Sequence, residues 1–194
     1  MAKIKFTSSR VGCDRKHYLT EADVMTVLDR LPREAWNRLR AVHFNDKSWG
    51  VRTLAYANPR EHEICICALP PRVSLTRALV RGQYPELFGA VRGRQWPELA
   101  VRRFLLYDVL LHELGHLQLL DPKRKFGARD NAHEKLAQEF ADLWRQELWS
   151  LPFDHPDPVH NPPVIGHRSS GITNRWTGAA GACFVTNSVR RRVL

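Results

Sequence analysis

Apolar positions first recur along the chain at three- and four-residue steps, with Val24, Val27, Leu28 and Leu31 in helical rhythm. Thr20 ahead of them offers an N-cap acceptor, and Asp23 three residues on can answer the cap's own N–H, so a capped amphipathic helix is predicted here. A short helix is expected near Pro32. The rhythm then changes to alternation in three extended runs: Arg40 to Asn45 with Val42 and Phe44 on one face, Arg52 to Asn58 with Leu54 and Tyr56, and Glu63 to Leu69 with Ile64 and Ile66. Turn residues from Asp46 to Gly50 and from Asn58 to Glu61 separate them, which predicts a small antiparallel or mixed sheet. Pro70 and Pro71 end that sheet. Helical pattern returns from about Ser74, and a long helix is predicted to start at Pro97, a residue suited to the first helical position. Up to Leu120 this segment is apolar nearly all round, through Leu99, Phe104, Leu105, Val109, Leu110, Leu114, Leu117 and Leu120, as in a buried helix. Asp121 and Pro122 close it, a Lys/Arg-rich loop with Gly127 follows, and a further helix is predicted over about Ala132 to Trp149. The prolines of PFDHPDPVHNPP then impose an extended path.

Composition narrows the class. At 194 residues, 43% hydrophobic and 26% charged, the chain reads as one globular domain over residues 1–163 followed by a tail, 164–194. The longest apolar run, Phe104 to Leu111, is broken by Tyr107 and Asp108 and is far short of the roughly 20 residues of a membrane span. The basic N-terminus lacks the apolar stretch of a secretory signal, so a cytoplasmic location is expected. Of the formal net charge of +10, the tail carries five arginines (168, 175, 190, 191 and 192) and no acid, in a poorly periodic Gly/Ser/Thr/Asn context that suggests a solvated, poorly ordered extension. That basic surface and tail make nucleic acid a candidate partner beside a protein or peptide substrate. Cys13, Cys65, Cys67 and Cys183 form no C-x-x-C pair, and the alternation of Cys65 and Cys67 in an apolar run suits small buried side chains.

Candidate chemistry concentrates in the long helix, at His112-Glu113-Leu114-Gly115-His116. Two histidines four residues apart project from one face and can chelate one ion, and Glu113, about 100° round, can reach a water on that ion without ligating it. Bound zinc lowers the water's pKa to about 7, and the carboxylate can accept its proton as it attacks a carbonyl. Unpaired His and Glu in a buried helix are costly, so burial itself calls for a partner such as a metal. A catalytic zinc needs three protein ligands and an open position. The following helix offers His133, Glu134 and Glu139 as third ligand. Its larger apolar residues, Leu136, Phe140, Leu143 and Trp144, centre a face that includes His133, whereas Ala137 and Ala141 lie on the side of Glu134 and would permit close helix approach.

Glu134-x-x-Ala137-Gln138-x-Phe140-Ala141 downstream of HELGH resembles the E-x-x-A-N-x-F-A helix of the ImmA/IrrE-like zinc metallopeptidases, over roughly residues 105 to 145. That resemblance implies Glu134 as third ligand, with Gln138 in place of the usual Asn. The SprT-like proteins, DNA-associated zincins with a third histidine, are the competing relatives and would make His133 the ligand. The expected fold is α+β and zincin-like: a small sheet on the buried HEXXH helix, with a second ligand-bearing helix nearby. The expected function is zinc-dependent hydrolysis of peptide bonds in intracellular proteins, with His112, His116 and Glu134 on the metal and Glu113 catalytic. The alternative is a non-catalytic or DNA-associated regulatory protein on the same scaffold. Subsidiary candidates are Asp154, His155 and His160 beside the cleft, Tyr56 and Asn58 for hydrogen bonds to substrate, and the run Glu63 to Leu69 as the edge strand along which zincins bind extended peptides.

Overall fold

In the computed structural model the described residues are 3–46, 53–73, 84–119 and 131–163. The helix expected from Ser74, the turn residues 47–50 and the basic tail 164–194 lie outside them. Four strands form one sheet: β1 (Lys5–Ser8), β2 (Ala41–Asn45), β3 (Ala55–Asn58) and β4 (Glu63–Cys67), in the order β1-β2-β4-β3. β1, β2 and β4 run parallel, and β3 is antiparallel to β4. The sheet is therefore mixed. Two expectations need correction. β1 was not foreseen, and Glu63 to Leu69 is not an edge, because β4 lies between β2 and β3; the edges are β1 and β3. A parallel neighbour needs a crossover, and α1 (Glu21–Arg30) with the 3₁₀ turn Arg33–Ala35 supplies the one between β1 and β2.

Strand alternation sorts the sheet into two faces. Val42, Phe44, Ile64 and Ile66 are buried in one cluster with Val24, Val27 and Leu28 of α1 and with Leu106, Leu110 and Leu114 of the long helix. Thr7, His43, Tyr56 and Glu63 occupy the opposite face, tied across strands by Thr7 Oγ1 to His43 Nδ1 (2.5 Å) and His43 Nε2 to Glu63 (3.2 Å). Cys65 and Cys67 are buried on this face, as expected.

The predicted cap of α1 is present in both directions: the Thr20 backbone N–H donates to Asp23 Oδ2 (2.8 Å), and the Asp23 N–H donates to Thr20 Oγ1 (3.2 Å). The long helix is continuous but not uniform. α2 (Glu98–Phe104) passes through a π-helical turn, Leu105–Leu110, into α3 (Leu111–Gln118), with helical backbone at both junctions. Among the described residues no helix is long and apolar enough to cross a membrane.

α4 (Asn131–Ser150) packs on α3 with only part of the face its large apolar residues suggested: Phe140 and Trp144 lie against the core, and the contact is shifted toward the alanines. Ala137, Ala141, Arg145 and Leu148 are buried, whereas Leu136 and Leu143 are exposed at 47% and 42%. The reason is Gly115. A Cβ there would lie 3.0 Å from both Cα and O of Ala137, so the two backbones meet through their smallest residues. An aromatic cluster of Phe88, Trp96, Phe104 and Trp149 joins the far end of α4 to α2.

The proline-rich segment runs extended, as expected, apart from a 3₁₀ turn at Pro158–His160. It is strapped to α2: Arg102 bridges Asp157 (2.6 Å) and Asp23 (3.0 Å), and Arg103 donates to the Pro158 carbonyl (2.8 Å). His160, only 1% exposed, bonds Tyr107 of the π turn through Nδ1 (3.1 Å) and faces Asp23 through Nε2 (3.5 Å). Burial pushes the Asp23 carboxyl up, but hydrogen bonds from His160 and Thr20 and the charge of Arg102 outweigh it and hold the group at about 2.

Candidate metal centre

His112 and His116 project from α3 one turn apart, and Glu134 reaches them from the first turn of α4. One ligand atom of each lies within 4.8 Å of the others. Glu134 Oε2 stands 3.4 Å from His112 Nε2 and 3.7 Å from His116 Nε2. Ligand atoms on a tetrahedral ion with bonds of about 2.1 Å are about 3.4 Å apart, so the two measured edges fit a shared cation. Two imidazoles and one carboxylate also form a donor set suited to divalent transition metals. Glu139 is not in this set; it is exposed and paired with Lys135 (3.7 Å). His133 lies beside the set, with its Nδ1 3.0 Å from Nδ1 of His116.

The protonation pattern favours a cation. Gln138, one turn beyond Glu134, donates its amide to Asp108 Oδ1 (3.2 Å) and Asp142 Oδ1 (3.1 Å). Carboxylates only accept, so the amide oxygen is left facing His112 Nδ1 at 3.2 Å and that nitrogen must carry the hydrogen. The lone pair of His112 is thereby fixed on Nε2, toward Glu134. Arg145 anchors the network through Asp108 (2.5 Å) and a second, shorter bond to Asp142. Burial, with His112 and His133 alongside and Glu134 opposing, brings the His116 imidazole down to about 4, which keeps it neutral and able to ligate.

Glu113 is buried, and desolvation pushes its carboxyl up to about 8, reinforced by Glu134 and opposed by a hydrogen bond from the Ala57 backbone. That bond ties the Glu113 carboxylate of α3 to β3. The Cys67 N–H donates to the Leu54 carbonyl (2.9 Å), which makes Leu54, Tyr56 and Asn58 the residues bonded to β4 and turns the N–H and C=O of Ala55 and Ala57 toward the open edge. The carboxylate thus stands where a strand added to β3 would lie. A cation at the triad would counter the rise, because the ion becomes the largest local charge.

The subsidiary candidates belong elsewhere. The Tyr56 hydroxyl is engaged by Asn45 (3.1 Å) and by Cys65 on the polar face of the sheet. Among the described residues, His155 and His160 bond within the strap and to Tyr107 and Asp23, and Asp154 is exposed; none of the three joins the triad. What the sequence reading missed is the Gln138, Asp108 and Arg145 network. Its one visible signal was Asp108 interrupting an apolar run. Against family models, curated proteins and solved structures, the chain finds no match.

Proposed function

We propose that this chain is a zinc-dependent peptidase of the zincin kind that hydrolyses peptide bonds in intracellular proteins. The observation that carries the reading is the convergence of His112, His116 and Glu134 around one point, with the buried Glu113 carboxylate beside them at the open edge of β3. The likeness of residues 134 to 141 to the ImmA/IrrE-like helix favours the same third ligand. His112, His116 and Glu134 would hold the zinc, which when bound would supply Lewis acidity toward water and a carbonyl oxygen. The remaining work falls to the protein. Glu113 accepts the proton of the attacking water on its carboxylate and returns it to the leaving nitrogen. Ala55 and the Ala57 carbonyl offer outward backbone groups to an extended substrate, while the Ala57 N–H holds Glu113, so that strand addition aligns a peptide alongside the metal helix. The Gln138 network keeps the His112 ring from turning away.

Metal analysis and turnover test this directly. Wild type should bind about one zinc per chain and cleave a denatured protein substrate, and a His112→Ala/His116→Ala variant should bind none. Glu113→Gln should retain zinc while losing about 10²-fold or more in rate, since an amide cannot take the proton. Turnover at the wild-type rate in Glu113→Gln would remove the assigned base, and undiminished zinc in the double variant would remove the site.

A further inference from the structure

Resting on the reading of His112, His116 and Glu134 as the metal-holding set, we propose that His133 is a positioning residue that locks the His116 imidazole with Nε2 presented to the metal. The two Nδ1 atoms are 3.0 Å apart, and the ring planes are nearly parallel, tilted by 13° with centroids 4.9 Å apart. A contact of that length between two ring nitrogens is a hydrogen bond in which one nitrogen carries the hydrogen and the other a lone pair. His116 Nε2 faces Glu134 Oε2 at 3.7 Å, so a lone pair on Nε2 requires the hydrogen on Nδ1. His116 is therefore the donor and His133 Nδ1 the acceptor.

The same bond makes His133 a poor ligand. Its Nδ1 is spent on His116, and its other nitrogen lies across the ring, directed away from that contact. Glu134, the next residue, enters the ligand set in its place. α4 thereby supplies three distinct groups from little more than one turn: His133 orienting His116, Glu134 as ligand, and Gln138 orienting His112. Each ligand histidine has its own tautomer-fixing partner on the opposite helix. Outer hydrogen bonds of this kind orient metal-bound imidazoles and raise their basicity.

The test compares two variants of the full chain. His133→Phe keeps a flat ring against His116 but removes the acceptor, whereas His133→Asn places an amide oxygen near the position of Nδ1. Zinc affinity, read by competition with a chromophoric chelator, should fall about 10- to 100-fold in His133→Phe and return to within a few-fold of wild type in His133→Asn. The absorption spectrum of the cobalt-loaded protein should be the same in wild type and His133→Asn, reporting an unchanged ligand set. Wild-type affinity in His133→Phe would overturn the assignment. Loss of metal in both variants with an altered cobalt spectrum would make His133 a ligand and overturn it equally. A wild-type chain that takes up no zinc would overturn the proposed function along with it, whereas normal uptake with an unperturbed His133→Phe variant overturns this inference alone.

Discussion

Gly115 stands between the two histidines, and its replacement by alanine puts the packing of α3 on α4 to a quantitative test. The added Cβ would lie 3.0 Å from Cα and O of Ala137 and 3.2 Å from Cβ of Phe140. Carbon atoms pack best at about 3.5 to 4.0 Å, so the methyl is at least about half an ångström too close to a backbone that cannot rotate aside. Overpacking of this kind costs about 1–3 kcal/mol. Alanine recovers about 1 kcal/mol of helix propensity over glycine, which leaves a net loss of about 0–2 kcal/mol, or up to about 8 °C in melting temperature for a chain of this size. The metal should feel it more. Glu134 lies one turn before Ala137, so withdrawal of α4 by half an ångström would open contacts that now measure 3.4 and 3.7 Å. Thermal unfolding of the metal-free protein and zinc competition on the same samples would separate the two effects, with affinity expected to fall about tenfold or more. A variant more stable than wild type by about 1 kcal/mol, with unchanged zinc affinity, would show that the helices are not held apart by this contact and would refute the reasoning.

Two other outcomes are expected. The Asp23 carboxyl is held at about 2, below its ordinary 3.8, so its contribution of about 2 kcal/mol is complete above about pH 4 and disappears as pH falls through about 2. Urea midpoints at pH 5 and pH 2.5 should therefore diverge between wild type and Asp23→Asn, with the variant weaker at pH 5; parallel midpoints would sink the assignment. Gln138→Leu should weaken zinc binding about 10- to 100-fold by freeing the His112 tautomer, measured by chelator competition, and wild-type affinity in that variant would show that the amide does not orient the ring.

Local signals were legible in the sequence. The cap of α1, the strands β2, β3 and β4, the buried HELGH helix and α4 all follow from periodicity and end residues within a few positions of one another. What could not be read depends on partners distant in the chain. β1 is four residues long with none of them fully buried, and its pairing with β2 rests on a crossover that no local pattern records. The edge position passed to β3 because β4 inserts between β2 and β3, a matter of topology rather than propensity. On α4 the large residues marked the buried face only in part: Phe140 and Trp144 pack on the core, but contact with Gly115 rewards Ala137 and Ala141 instead of Leu136 and Leu143. Glu134 entered the site for that reason. The strap hid its structural use in the same way: Asp157 and His160 look like surface polar residues until Arg102 and Tyr107 are placed beside them.

The π turn at Leu105–Leu110 sets the angular phase between the two ends of the long helix. Such a turn accommodates one residue more than an α-helical turn. Relaxing it to α-helix without removing a residue would rotate Arg102 and Phe104 by about 100° relative to His112 and His116. Deleting one residue within the turn while it relaxes can leave both ends in phase, but relaxation at fixed length or an added residue cannot: either the anchors against Asp157 and Trp96 or the histidines against Glu134 must come out of alignment. The wide turn is thus what reconciles the number of residues between the strap contacts and HELGH with the direction in which each end faces.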